Sequence, residues 1–528
     1  MQSAQTPRLT VVSAIVGAIG LIAIGAALTL LFRSEAGVDV ERQWMGPTPV
    51  TFYRPDSSPA TQGQGASDLP VVIISHGFAG STQLMESFAL ALARNGYLAV
   101  AFDYYGHGRH LEPLRGDVMD VEGATRFLVE QTRAVADFAL AHPAAAGSEL
   151  AILGHSMASD IIVRYGQSDR RVQATIALSL FSPAVTADSP ENFLVLVGDL
   201  EGRLKGEALR VVGLVADDPQ AGVTYGSFDD GSARRAVFPP GVEHVGILYS
   251  PTAVRESIAW LNQTFSRDDV PGPDPVDARG PAVLLLFIGL LLLAWPLSRL
   301  LPKTVEPARG LNPGWRELLP AALLPAVLTP LLLVAFPPDF LGVLVGGYLA
   351  VHFALYGLIT AAACFWIRYR RGAGAAPTPG RRRLGPALVA AAAASLYAAG
   401  AIAVAMDQFV TSFAVTAPRL PLLLMMLGGT LVYFLADEWL TRGPDVPRST
   451  HLLTRVCFLF SLGLAVALSF QELFFLLIIA VVIIPYFLLY GLFSRWVYKA
   501  TGDPLVSALP SAAAFGWTLA VVFPQLAG

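Results

Sequence analysis

The sequence predicts an α/β domain with a mostly parallel sheet, joined to an all-α bundle of transmembrane helices. Three observations carry this reading. Apolar residues make up 54% of the 528 residues and charged residues only 14%, against about 25% charged in an ordinary soluble domain. The apolar residues are unevenly placed: 9–32 and 280–527 are mostly long apolar runs, whereas 45–266 reads as a soluble domain. Within 45–266, short apolar runs alternate with helix-like stretches, the pattern of repeated strand–helix units. The length alone favours more than one domain. A net charge of −4 and the lack of a large basic patch argue against a nucleic-acid partner. Both cysteines, Cys364 and Cys457, fall in apolar runs, so the soluble stretch holds no disulfide and no Cys-ligated metal. No run suggests a haem, metal or nucleotide site, and no cofactor is expected.

Taken in chain order, residues 1–33 form the first element. Their apolar run, 9–32, exceeds the 7–15 residues of a signal-peptide core and precedes no A-x-A site, so it reads as a retained transmembrane anchor. In 45–266, runs at 70–75, 98–102, 150–153, 174–178 and 193–197 suit strands buried on both faces of a parallel sheet. Helical periodicity occupies 82–95, 120–142, 157–168 and 203–216, which implies right-handed crossovers. A strand-like 236–238 and a helix-like 251–264 close the domain. The segment 104–122, with Arg109, Arg115 and Asp117, reads as a small flap. Residues 267–280, rich in Asp, Pro and Gly, read as a linker.

Residues 281–528 hold eight further spans, near 281–301, 317–336, 340–367, 384–406, 419–438, 452–470, 473–494 and 505–525. Each run of about 20 residues can cross a bilayer core of about 30 Å, and 340–367 is long enough to tilt. Basic residues alternate by side. They crowd the loops around 299–316, 368–383, 442–455 and 495–499, whereas the loops at 337–339, 407–419 and 471–472 hold only Arg419. The positive-inside rule then puts the amino terminus in the cytoplasm and the soluble domain outside. At the first span Arg8 is offset by Arg33. His352, Tyr348 and Tyr356 share one helix face, which reads as interhelical hydrogen bonding. Asp437 and Glu438 lie near the inner end of a span and are expected in solvent.

The chemistry concentrates in the soluble stretch. The segment 154–158, GHSMA, follows a strand and precedes a helix, the context of a nucleophile elbow. There Ser156 is the candidate nucleophile, with Ala158 where the pattern usually has a second glycine. A serine hydroxyl needs a base to take its proton. Three histidines follow Ser156; His352 and His451 lie in or beside spans, which leaves His244. The orienting acid is expected just past the strand 193–197, where Asp199 and Glu201 are both candidates. Negative charge developing on a substrate oxygen needs backbone N–H donors. Met157, directly after the serine, and Phe78, in the glycine-bearing loop 76–81, are the candidates. His76 reads as structural.

Together the segments 76–78 (HGF), 103–109 (DYYGHGR), 154–158, 198–201 (GDLE) and His244 resemble the α/β-hydrolase superfamily, in its esterase, lipase and dienelactone-hydrolase branch. The resemblance covers about 45–266 and does not extend to the membrane region. It departs from the common pattern at Ala158. It implies an α/β-hydrolase fold and a serine nucleophile with a His base. In many members the acid stands three residues after the glycine, which favours Glu201 over Asp199. It also implies that Asp103 and His107 are structural. The activity implied is extracytoplasmic cleavage of an ester or acyl substrate, a lipid among the candidates, with membrane lipids as surroundings. Two other readings fit the same residues: an envelope transport or assembly protein whose hydrolase-like domain binds or gates, and a membrane acyltransferase.

Overall fold

The computed structural model describes residues 10–56, 68–118, 120–267, 279–338, 345–372, 380–444 and 446–527. Residues 1–9, with Arg8, most of the expected linker (268–278) and the start of the expected span 340–367 lie outside them. A helix α1 (Val11–Arg33) leads into the sheet. The strands are β1 (Val38–Met45), β2 (Thr48–Pro55), β3 (Leu69–Ser75), β4 (Leu98–Phe102), β5 (Ala145–His155), β6 (Val172–Leu178), β7 (Phe193–Leu196), β8 (Thr224–Tyr225) and β9 (Arg234–Val237). They run in the order β1-β2-β4-β3-β5-β6-β7-β9-β8. The central strands β4, β3, β5, β6, β7 and β9 are parallel, and β1, β2 and β8 add antiparallel edges. The sheet therefore starts at Val38, upstream of the expected boundary at 45. β1 (VDVERQWM) mixes polar and apolar residues at a half-solvated edge and so lacks the continuous apolar run of a buried strand.

Helices α2 (Glu86–Arg94), α3 (Arg126–Leu140), α4 (Met157–Ser168), α5 (Gly202–Val212) and α6 (Pro251–Thr264) cover the two faces. The period of two along a strand divides the core. Val71 and Ile73 pack with Leu128, Val135, Ile161 and Ala208 on one face. Val72 and Ile74 pack with Phe88, Leu92, Ile258 and Leu261 on the other.

The remaining helices are α7 (Arg279–Ser298), α8 (Trp315–Ala335), α9 (Gly346–Arg371), α10 (Leu384–Ser395), α11 (Ile402–Phe409), α12 (Leu420–Thr441), α13 (Arg448–Leu468), α14 (Phe470–Leu473), α15 (Leu476–Thr501) and α16 (Pro504–Val522). A π-helical turn, Leu396–Ala401, joins α10 to α11. Among the described residues, eight helices are long and apolar enough to cross a membrane, α1 among them. The expected span 473–494 is helical too, as α15, with Pro485 inside it. Glycines set the tightest crossings. A Cβ on Gly429 would lie 2.3 Å from the Ala350 carbonyl oxygen, and one on Gly357 2.6 Å from the Tyr433 backbone, so α9 and α12 touch backbone to backbone.

The sheet domain sits on one end of this bundle. Arg279, opening α7, pairs with Glu86 and donates to Ser34 just past α1. Asp407 of α11 pairs with Arg109 at 2.6 Å. Arg419, just before α12, donates to the Gly106 carbonyl at 2.8 Å. Past α16, Leu526 bridges to Leu114. Residues 104–118, most of the segment expected to form a small flap, are thereby clamped between sheet and bundle. At the opposite end the basic loops interlock: Thr304 N–H donates to the Thr501 carbonyl at 3.0 Å, and Arg382 pairs with Asp503 at 2.6 Å.

Two expectations for the bundle resolve differently. His352 lies 3.1 Å from Ser461 on α13, the interhelical bond expected. Asp437 and Glu438 are not in solvent: they are 2% and 0% exposed. Asp437 pairs with Arg455 at 2.9 Å and Glu438 with Arg442 at 2.8 Å. A helix end can bury a carboxylate when the neighbouring turn supplies a paired guanidinium.

Candidate active site

Ser156 stands between β5 and α4 with φ 55° and ψ −117°, a left-handed-side conformation rare for a residue with a Cβ. The turn is tight because Gly154 lets the next turn close over it. A Cβ there would lie 3.0 Å from the Ala158 carbonyl oxygen and 3.1 Å from the Ala158 Cβ. The alanine thus fits where a larger side chain would not, and it is fully buried. The Ser156 N–H donates to the Leu178 carbonyl at 2.9 Å, which ties the elbow to β6.

His244 arrives on the loop after β9. Its Nε2 lies 2.8 Å from Ser156 Oγ, and its Nδ1 lies 2.6 Å from Glu201 Oε1. Of the two candidate acids, the structure brings Glu201 to the imidazole. Asp199 turns the other way and accepts the Gly241 N–H at 2.8 Å, bracing the histidine loop. Glu201 is held on its second oxygen by the Ser179 hydroxyl and the Gly198 N–H, each at 2.8 Å. Burial opposes its charge, but the hydrogen bonds from His244, Ser179 and Gly198 outweigh it and keep the carboxyl below its ordinary range.

Two contacts had no signal in the sequence pattern. Ser179 follows β6 with no motif around it. His155, adjacent to the serine, lies 2.8 Å through Nε2 from the His244 carbonyl oxygen. Burial, and then the nearby His244, push the His155 pKa down to about 3. It is therefore neutral, and its ring N–H can hold the His244 backbone.

The loop after β3 lies directly against the elbow. A Cβ on Gly77 would come within 3.0 Å of the Ser156 Cβ and of His155 Nδ1. Phe78 sits in the turn that the Gly80 N–H closes on the Gly77 carbonyl at 3.0 Å. Met157 opens α4, so its N–H has no acceptor one turn back in the helix. His76 is fully buried, and burial lowers its pKa. It accepts the Tyr104 N–H on Nε2 at 3.1 Å and lies 2.8 Å through Nδ1 from the Gly77 carbonyl, which joins the loops after β3 and β4. Asp103 accepts the Thr82 and Arg109 N–H groups, each at 2.8 Å. Both residues thus tie neighbouring loops together.

A parallel sheet carrying a serine on the turn after its fifth strand, with a carboxylate and a histidine from later loops, decides the fold. This is an α/β-hydrolase domain. Residues 67–219 match the family model described as serine aminopeptidase, S33. No curated protein matches the sequence. Similar solved structures include a methylesterase at 15% identity (TM-score 0.33; 52% of this chain, 68% of that one). An esterase from Pyrobaculum calidifontis is 15% identical (0.32; 51% and 97%). A membrane phospholipase A described as a bacterial virulence factor is 14% identical (0.30; 49% and 94%).

Three exposed apolar side chains stand on the loops that carry the site. Phe181, Leu200 and Val245 are 67%, 65% and 49% exposed. Leu200 and Val245 adjoin Glu201 and His244, and the Phe181 N–H donates to Ser159 at 3.1 Å. The Phe78 ring packs 4.9 Å from that of Phe475, which opens α15. Among the described residues, one group has metal-ligating atoms close together, Asp437, Glu438 and His451, within 4.8 Å of one another. Arg442 and Arg455 already neutralise its two carboxylates, so it does not suit a cation.

Proposed function

We propose that this chain is a multi-pass membrane serine hydrolase that cleaves an ester or related acyl bond through an acyl-enzyme at Ser156. The carrying observation is the continuous line of contacts Glu201–His244–Ser156, at 2.6 and 2.8 Å. In this reading Ser156 Oγ attacks the substrate carbonyl carbon as its proton passes to His244 Nε2. Glu201 fixes the tautomer and stabilises the imidazolium. The oxyanion is received by the Met157 and Phe78 N–H groups. His244 then gives the proton to the leaving alcohol. A water, deprotonated by the same nitrogen, attacks the acyl carbon and frees Ser156.

The eight long apolar helices and the gathering of basic loops at the end opposite the hydrolase domain support a cell-membrane location, with the hydrolase domain extracytoplasmic. The exposed apolar rim of Phe181, Leu200 and Val245, and the packing of Phe78 on the bundle, support an acyl-chain substrate reaching the serine from the membrane surface.

The test is covalent labelling of the full-length protein with a fluorophosphonate. The wild type labels and Ser156→Ala does not. Absence of labelling of folded wild-type protein would overturn the reading and favour a binding or gating role. Product analysis with an added alcohol separates hydrolysis from acyl transfer.

A further inference from the structure

The loop after β3 carries Phe78, the proposed second donor to the oxyanion, and the helical bundle grips that loop. Phe78 and Ala79 belong in sequence to the sheet domain, yet both pack against the hydrophobic core of the bundle. The Phe78 ring lies 4.9 Å from that of Phe475 and meets that of His107 edge-on at 6.0 Å. Ala79 has φ 57°, a conformation that a residue with a Cβ keeps only where its surroundings enforce it. Two residues on, Ser81 is fully buried. Its hydroxyl accepts the Ser412 N–H at 2.8 Å, lies 3.0 Å from the Thr411 hydroxyl and donates to Gln83 at 2.7 Å. The Gln83 amide in turn donates to the Asp407 carbonyl at 3.1 Å.

Asp407 sets the bundle side of this contact. Its Oδ1 accepts the Phe413 and Ala414 N–H groups at 2.7 and 3.0 Å, which closes the turn presenting Thr411 and Ser412. Its Oδ2 pairs with Arg109. The sheet domain ties the loop at its two ends, through His76 and through the Thr82 N–H to Asp103. Between those ends, Phe78 and Ser81 reach the bundle. Misplacing a reacting group by about 1 Å can cost about 10²-fold in rate. We infer that the bundle positions the oxyanion loop, with Phe475 and Ser81 as positioning residues, so that the hydrolase domain is fully active only when docked on its own membrane region. The inference rests on the reading of Ser156 as nucleophile and Phe78 as donor.

The experiment measures hydrolysis of a short-chain ester by the full-length protein in neutral detergent. Phe475→Ala lowers kcat by about tenfold or more and leaves KM within about twofold, because the donor acts on the transition state and not on the bound substrate. An alkyl trifluoromethyl ketone, whose serine adduct carries the same oxyanion, loses affinity by the same factor. Ser81→Ala/Thr411→Val, which removes the hydroxyls at the contact, moves both readings in the same direction. Phe475→Leu, which keeps an apolar side chain against Phe78, restores most of the rate. The control Phe470→Ala, exposed on α14 and in ring contact with Phe474, keeps wild-type values. An unchanged kcat in both Phe475→Ala and Ser81→Ala/Thr411→Val would overturn the inference. So would a rise in KM alone, which marks Phe475 as a substrate contact, or a ketone affinity that does not move with kcat. A folded wild type that the fluorophosphonate does not label removes the hydrolase reading itself, and this inference with it.

Discussion

The decisive atoms are few, and their roles separate by partner. Glu201 and Asp199 stand two residues apart on one turn, yet one meets the imidazole and the other a backbone N–H of the histidine loop. In the proposed mechanism Glu201→Gln removes the charge that stabilises the imidazolium, and it is expected to cut kcat by about 10³–10⁴-fold. Asp199→Asn keeps an oxygen for the Gly241 N–H, and its effect should stay within about twofold. Steady-state hydrolysis of a short-chain ester measures both; equal losses would mean that the acid had been assigned wrongly. Both carboxylates were visible in GDLE, and the three-residue offset from the glycine favoured Glu201, the one that meets the imidazole. His155 and Ser179 were not visible as partners. Their value comes from where two distant strands end, which neither neighbouring sequence encodes.

Elements are held apart or together by single side chains. α1 and α7 cross at facing glycines: a Cβ on Gly289 would lie 2.9 Å from the Gly20 carbonyl oxygen, and one on Gly20 3.0 Å from that of Gly289. Gly289→Leu should therefore force the pair apart and lower stability by about 1–3 kcal/mol, the usual range for overpacking. Thermal unfolding of the detergent-solubilised protein reads it, and an unchanged midpoint would show that the helices do not need this contact. Apolar runs made the buried strands and the long helices legible, because burial on all sides leaves no polar residue in the run. The antiparallel strands β1, β2 and β8 were missed: β1 and β8 lie at the edges and carry polar residues as a loop does, and β2 (TPVTFYRP), though mostly buried between β1 and β4, has its apolar residues interrupted by Thr and Pro.

In the whole molecule, burial of four histidines of the sheet domain couples stability to pH. His76, His107, His110 and His155 are depressed first by burial, so each holds a proton less readily in the fold than in the unfolded chain, where its pKa is about 6.5. The unfolded chain binds more protons there, and stability falls as the pH drops through about 6.5. Four protons give a slope of up to about 5 kcal/mol per pH unit. Glu201, lowered in the fold, adds a loss only further down, as the pH falls through its own depressed value. Unfolding midpoints between pH 5 and 8 check this, and a flat profile would contradict it. Arg419 links the parts: buried, it donates to Ala520, Phe523 and Gly106. Arg419→Ala leaves those carbonyls unmatched and should cost about 2–3 kcal/mol, read as a lower unfolding midpoint.

By itself the sequence determined the class of each half and the short list of candidate reactive residues, since periodicity, apolar run length and the GHSMA turn are local properties. Only the tertiary structure decided which carboxylate meets His244, that Asp437 and Glu438 are buried in ion pairs, and that 104–118 is clamped to the bundle. The acid and the clamp depend on what a distant segment brings to the same place, His244 from 43 residues away and Asp407 and Arg419 from about 300, and such pairing leaves no mark on the local pattern. Asp437 and Glu438 find their guanidinium partners nearby in the chain, but only the packing of the bundle buries them.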